Sequence, residues 1–144
     1  MINMSVVGFN FTKISAEKTG KLKGDVKISN DVSISKVEEM EVSLGIIKET
    51  ALKFIFGFTS TYEPEVGKIS LSGEVIYTGE QKKIKDIMKE WTKSKKIDRP
   101  LMAEIMNNIL AKCNIKALII SQDINLPPPI PLPSVKADTP EQKK

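Results

Sequence analysis

Carboxylates are the side chains best supplied for general acid–base chemistry in this sequence, with 18 Asp and Glu against no histidine and a single cysteine. A paired acid and base would have to come from Glu63-Pro64-Glu65, from Glu38 and Glu39 with Glu41, or from Asp123. None of these groupings carries a motif. The absence of histidine removes the commonest general base and metal ligand, and Cys113 alone makes neither a nucleophile–base triad nor an ordinary zinc site. Gly67, Gly73 and Gly79 are spaced too widely to cradle a phosphate. The inventory therefore disfavours an enzyme and predicts no cofactor and no metal, leaving carboxylate-only chemistry as the one catalytic option.

The elements that would have to position these residues change character along the chain. Residues 5–79 read as strands. Period-two alternation is clearest where Leu52, Phe54, Phe56 and Phe58 alternate with Lys53, Gly57 and Thr59. It recurs where Ile69, Leu71, Gly73, Val75 and Tyr77 alternate with Lys68, Ser70, Ser72 and Glu74. Pro64 and Gly67 between the two runs predict an antiparallel hairpin. Upstream, Val6 to Glu17 is a further strand, and Asp25 to Ile34 with Lys36 to Ile47 reads as one bent strand, which makes four in all.

From Glu80 the period lengthens. Ile84, Ile87, Met88 and Trp91 fall on one face of an amphipathic helix. Asp98 is an N-cap with Pro100 in the first turn of a second helix, whose apolar stripe of Leu101, Met102, Ile105, Met106, Ile109, Leu110 and Cys113 is predicted to end at Asn114. Residues 115–126 are mixed. Prolines at 127, 128, 129, 131 and 133 then force an extended, polyproline-like segment. Its neighbours Ile124, Leu126, Ile130 and Leu132 are all apolar, and burying each is worth about 1.5 kcal/mol or more, so the segment should dock. It is either a strap closing its own core or the border of an apolar groove for a partner. The phenylalanine alternation and Cys113 read as core.

At 144 residues, with 40% hydrophobic and 28% charged side chains, the composition is that of one globular domain, here 1–133, with 134–144 as a loose polar tail. The N-terminus has no signal-peptide pattern, no apolar run approaches a membrane span, and the lone cysteine suits a reducing compartment, so the expected location is the cytoplasm. Net charge is +4, and every basic residue but Arg99 is lysine. Lysine supplies point charge in place of the bidentate fork that reads bases, so sequence-specific nucleic-acid recognition is not expected. Seven lysines in 80–97 read either as a solvated helix face or as an anion-binding surface.

Taken in order, KISAEK as first strand, LKGDVKI opening the second, LKFIFGF as third, SLSGEVIYTG as fourth, RPLMAEIMNNIL as long helix and NLPPPIPLP as closing loop resemble the SecB export-chaperone family over about residues 9–133. The closer likeness is to the divergent SecB-like proteins of archaea and of some toxin–antitoxin loci. The resemblance implies an α+β fold, a four-stranded antiparallel sheet packed by helices on one face, assembled as a dimer of dimers. It implies a protein-folding and protein-transport role in which the homotetramer binds unfolded polypeptides, preproteins for export among them, without ATP and in extended apolar grooves. Carried over by position, the client groove would include Leu22 in the crossover after the first strand, Leu71, Leu101 after Pro100, and Ile130 and Leu132 in the closing loop. Leucines stand where the bacterial proteins carry aromatics. The chain is also basic where they are acidic, with Lys27, Lys36, Lys53 and Lys68 on its strands, so docking to the secretion motor is not expected. The alternative function is that of an RNA-binding or ribosome-associated basic protein.

Overall fold

Alternating burial defines the centre of the sheet. The computed structural model describes residues 5–20 and 24–133, so Leu22 and the tail 134–144 lie outside the described residues. Its strands are β1 (Ser5–Lys18), β2 (Lys27–Leu44), β3 (Ile47–Glu63) and β4 (Gly67–Thr78), followed by helices α1 (Gln81–Ser94) and α2 (Arg99–Asp123). All neighbours are antiparallel in the order β1-β4-β3-β2, so the hairpin β3–β4 is central and β1 and β2 are edges. Leu52, Phe54, Phe56 and Phe58 on β3 and Ile69, Leu71 and Val75 on β4 are at most 1% exposed, all on the face that the helices cover. Each contributes roughly 1.5–3 kcal/mol by leaving water. The fold is thus α+β, with both helices on one face of the sheet.

The edge strands keep their apolar residues on that face by breaking the alternation. β1 has register shifts between Val6 and Gly8 and between Phe11 and Lys13. Val6, Phe9, Phe11, Ile14 and Ala16 therefore all stand opposite core residues of β4 despite their uneven spacing. In β2 one shift, between Ile34 and Lys36, lets both Ile34 and Val37 face inward opposite Phe56 and Phe54. The two segments separated at residue 35 are one bulged strand. β2 and β3 run on past β4 to a two-residue turn, where Gly45 takes the positive φ (71°) that a II′ hairpin needs at its first central position.

Helix α2 is longer than its stripe suggests. Asn114 does not end it, because Ala117 and Ser121 prolong the buried row set by Leu101, Ile105, Ile109 and Cys113, and neither Gly nor Pro intervenes. The stop comes at Asn125, left-handed at φ 54°, where the Leu126 amide donates to Ser121 O at 2.8 Å and the Asn125 amide to Gln122 O at 3.4 Å, a Schellman closure. Leu126 is buried beneath it, and the prolines begin one residue later.

The proline segment folds back over the far end of β2 and β3. Tyr62 Oη donates to Pro127 O at 2.6 Å, and Asn30 Nδ2 donates to Pro129 O at 2.9 Å. Fully buried Ser60 donates in turn to Asn30 Oδ1 and fixes that amide. Both carbonyls are satisfied by side chains because an extended proline run offers acceptors and no donors. Replacing Tyr62 with phenylalanine removes the tie and leaves Pro127 O unpaired. The expected cost is about 1–2 kcal/mol, read as a lower urea midpoint at unchanged slope.

Candidate functional site

Helix α2 presents four different faces, and their assignment follows from two ring contacts. Its buried row recurs every fourth residue. Lys112 and Lys116 lie 5.7 and 5.8 Å from the ring centres of Phe9 and Phe11, which sets the flank that carries them over the β1 side. Helix α2 itself packs on β4 and β3, so its other flank turns toward β2. That flank is the half-buried row Met102, Met106, Leu110 and Leu118, interrupted by Asn114. The row facing away from the sheet is Ala103, Asn107, Ala111, Ile115 and Ile119, all exposed and none charged, with Ile115 at 62% and Ile119 at 50%. A helix with three uncharged faces out of four is built to be covered on more than one.

The partly buried apolar residues of edge strand β2 and of the Met–Leu flank, packed against the edge of the core, make up an apolar strip, called the trough below. Helix α1, packed on β3 and β2 and tied by Gln81 to Thr50, closes one end. The proline strap closes the other. Along it, Ile28, Val32 and Ile34 from β2, Met106 and Leu110 from α2 and Ile130 from the strap are each half-buried. Leu132, two residues further along the strap, is 47% exposed. These side chains offer hydrophobic contact and adaptable methionine, and none of them is charged.

The five residues expected to line a client groove fall into three groups. Ile130 and Leu132 lie together on the accessible strap. Leu71 and Leu101, at 1% and 7% exposure, are consumed by the core: Leu71 shares the covered face with Val75 and Tyr77, and Leu101 opens the buried row of α2. Leu22 is outside the described residues. The trough residues on β2 and α2 had no counterpart in the expected set, and on α2 their signal is the methionine or leucine one position past four of the six buried residues.

Chemistry-bearing groups gather elsewhere. A cleft of about 390 Å³ between the helices is lined by Tyr77, Lys83, Asp86, Ile87, Asp98, Pro100, Leu101 and Glu104. Tyr77 Oη reaches Glu104 Oε1 at 3.5 Å, and its hydroxyl is pushed up to about 12 by burial first and then by the Glu104 and Asp98 charges. Asp98 occupies the N-cap position as expected, yet its side chain makes no capping bond and borders this cleft. Of the acids singled out in the sequence, Glu38 is engaged by Lys36 and Lys53, and Glu63 and Glu65 are exposed at the β3–β4 turn. No three of His, Cys, Asp or Glu converge as a metal site would require among the described residues. Burial pushes the Cys113 thiol up to about 12, so at neutral pH it is a packed, protonated side chain. Among the described residues no helix is long and apolar enough to cross a membrane.

No family model matches the chain, and no curated protein does. Among solved structures it is similar to the SecB-like chaperone Rv1957 of Mycobacterium tuberculosis, in complex with a ChAD peptide from the Rv1956 HigA1 antitoxin, at 8% identity and a TM-score of 0.47, covering 94% of this chain and 93% of that one.

Proposed function

We propose that this chain is an ATP-independent holdase of the cytoplasm that binds nonnative polypeptides, preproteins awaiting export among them, along the trough beside α2. The observation that carries the reading is an apolar strip that the subunit's own core leaves half open, bounded by the strap bearing Ile130 and Leu132. An unfolded client offers scattered aliphatic and aromatic side chains, and many weak contacts over a long surface hold it without a specific motif. The order of sequence elements resembling the SecB family supports the same reading. Self-association belongs to the proposal: the uncharged outer row of α2 is the surface on which copies of the chain would meet, and several troughs in one assembly raise retention through effective concentration.

The test is suppression of aggregation of a chemically denatured model client diluted into buffer without nucleotide. Wild-type protein should suppress it at near-stoichiometric subunit ratios. Changing Ile130→Asp and Leu132→Asp together should weaken the effect about tenfold, because each carboxylate loses hydration under a bound apolar segment. The thermal transition should move by only a few degrees, since Leu132 is exposed and Ile130 lies outside the buried core. Failure of the wild-type protein to suppress aggregation at a one-to-one ratio sinks the proposal.

A further inference from the structure

Helix α1 carries five lysines and two acids, all exposed. Ile84, Ile87, Met88 and Trp91 pack toward the core, which turns Lys82, Lys85, Lys89 and Lys93 outward, all exposed. The two acids of the helix, Asp86 and Glu90, line the clefts toward residues 96–104 together with Lys83, and Asp86 also stands one turn from Lys82 and Lys89. Lys85, Lys89 and Lys93 follow one another at single-turn spacing, where like charges destabilise a helix. None of the four ridge lysines enters an ion pair among the described residues, although Asp86 and Glu90 are within three or four positions of them. The result is a basic line about 16 Å long, eleven residues at the helical rise.

We propose that this outward ridge of α1 binds the phosphate backbone of duplex RNA. The inference is independent of polypeptide binding in the trough. A polyanion is indicated because lysines outnumber acids on the outward face and none of the apolar residues of the helix lies there. The helix's apolar residues are already spent on the core, so no hydrophobic face is left to enter a lipid surface or to anchor a protein hot spot. Lysine in place of arginine, asparagine or glutamine gives backbone contacts without base readout, which disfavours a helix seated in a DNA major groove. The absence of an aromatic on the ridge leaves no platform for stacking single-stranded bases. An A-form duplex, recognised by shape and by phosphates across its grooves, fits such a line of point charges.

The experiment is fluorescence anisotropy with a labelled RNA duplex, repeated from 50 to 200 mM NaCl. Four phosphate contacts predict a log–log salt slope of about −3 to −4, roughly a 100-fold loss of affinity over that range. The combined variant K82Q, K85Q, K89Q and K93Q should abolish most of the slope and weaken low-salt binding by roughly 100-fold. A control with K13Q, K27Q, K48Q and K68Q removes the same charge from other exposed positions and should keep wild-type binding within about threefold, which separates a local ridge from net charge. The proposal is overturned if the wild-type protein fails to bind at 50 mM salt or if the two quadruple variants lose affinity equally. It is also overturned if a DNA duplex of matching sequence, or a vesicle rich in anionic lipid, is bound more tightly than RNA through the same lysines.

Discussion

Gly73→Val should destabilise the protein by more than about 3 kcal/mol, enough to leave much of it unfolded at physiological temperature, whereas Gly57→Ala should shift stability by about 0.5 kcal/mol or less. Both glycines are interior positions of the central hairpin, so strand propensity alone would treat them alike. What separates them is the space above each. Gly73 lies on the covered face, opposite Phe11 of β1 and Phe56 of β3. A Cβ at this position would run into the backbone carbonyl of Asn10 and stand 2.8 Å from Phe56 Cζ. The ring cannot swing away, because Phe9 and Phe11 hold it at centroid distances of 5.2 and 6.4 Å. The carbonyl belongs to the β1 ladder, so relief means breaking the β1–β4 pairing. Around Gly57, on the other face, a Cβ meets nothing within 4 Å. Urea unfolding of the two variants checks the contrast, and a Gly73→Val protein melting with the wild type would mean that the aromatic cluster is not seated on this glycine.

Regular periods account for what the sequence disclosed. The β3–β4 hairpin and the starts of both helices were legible because each follows one unbroken period and is bounded by proline, glycine or a capping residue. β1 was traceable only in outline and β2 as two segments of one bent strand, since three bulges shift the alternation and inward residues such as Val6 and Phe9, or Ile34 and Val37, no longer stand two apart. The last turns of α2 were hidden by Asn114, a weak helix former that a long packed helix overrides. Misplacing that end also concealed Ile115 and Ile119, which read as an irregular segment until the helix carries them to its outer row. At the site, five prolines among apolar residues marked the strap, while its anchors Tyr62 and Asn30 are 65 and 99 positions away from the carbonyls they hold and left no local trace. Leu71 and Leu101 were expected at the groove through family resemblance. Their own periodicity pointed inward, and it decided their burial.

Carboxylates introduced on the outer row of α2 should convert an assembly into single subunits. In the variant Ile115→Asp with Ile119→Asp, the mass measured by light scattering at micromolar concentration should fall to that of one chain, with self-association weakened by at least about 100-fold. The row from Ala103 to Ile119 is about 24 Å long at the helical rise and carries no charge. Packed on a second copy by two-fold symmetry, it would bring each new carboxylate near its counterpart in a dry interface, where desolvation and like-charge repulsion each cost several kcal/mol. The subunit itself should be spared, because Ile115 and Ile119 are half or more exposed and contribute little to its core. An unchanged thermal transition with a smaller mass is therefore the expected pair of results, and Ile115→Leu with Ile119→Leu should retain the assembly. Aggregation assays on the same variant separate the two apolar surfaces of α2. If the trough binds clients and the outer row joins subunits, the dissociated protein keeps weak binding of short peptides but loses suppression of long unfolded chains, which need several troughs at once. A wild-type protein that scatters as one chain would remove the assembly while leaving the trough to be judged by peptide binding alone.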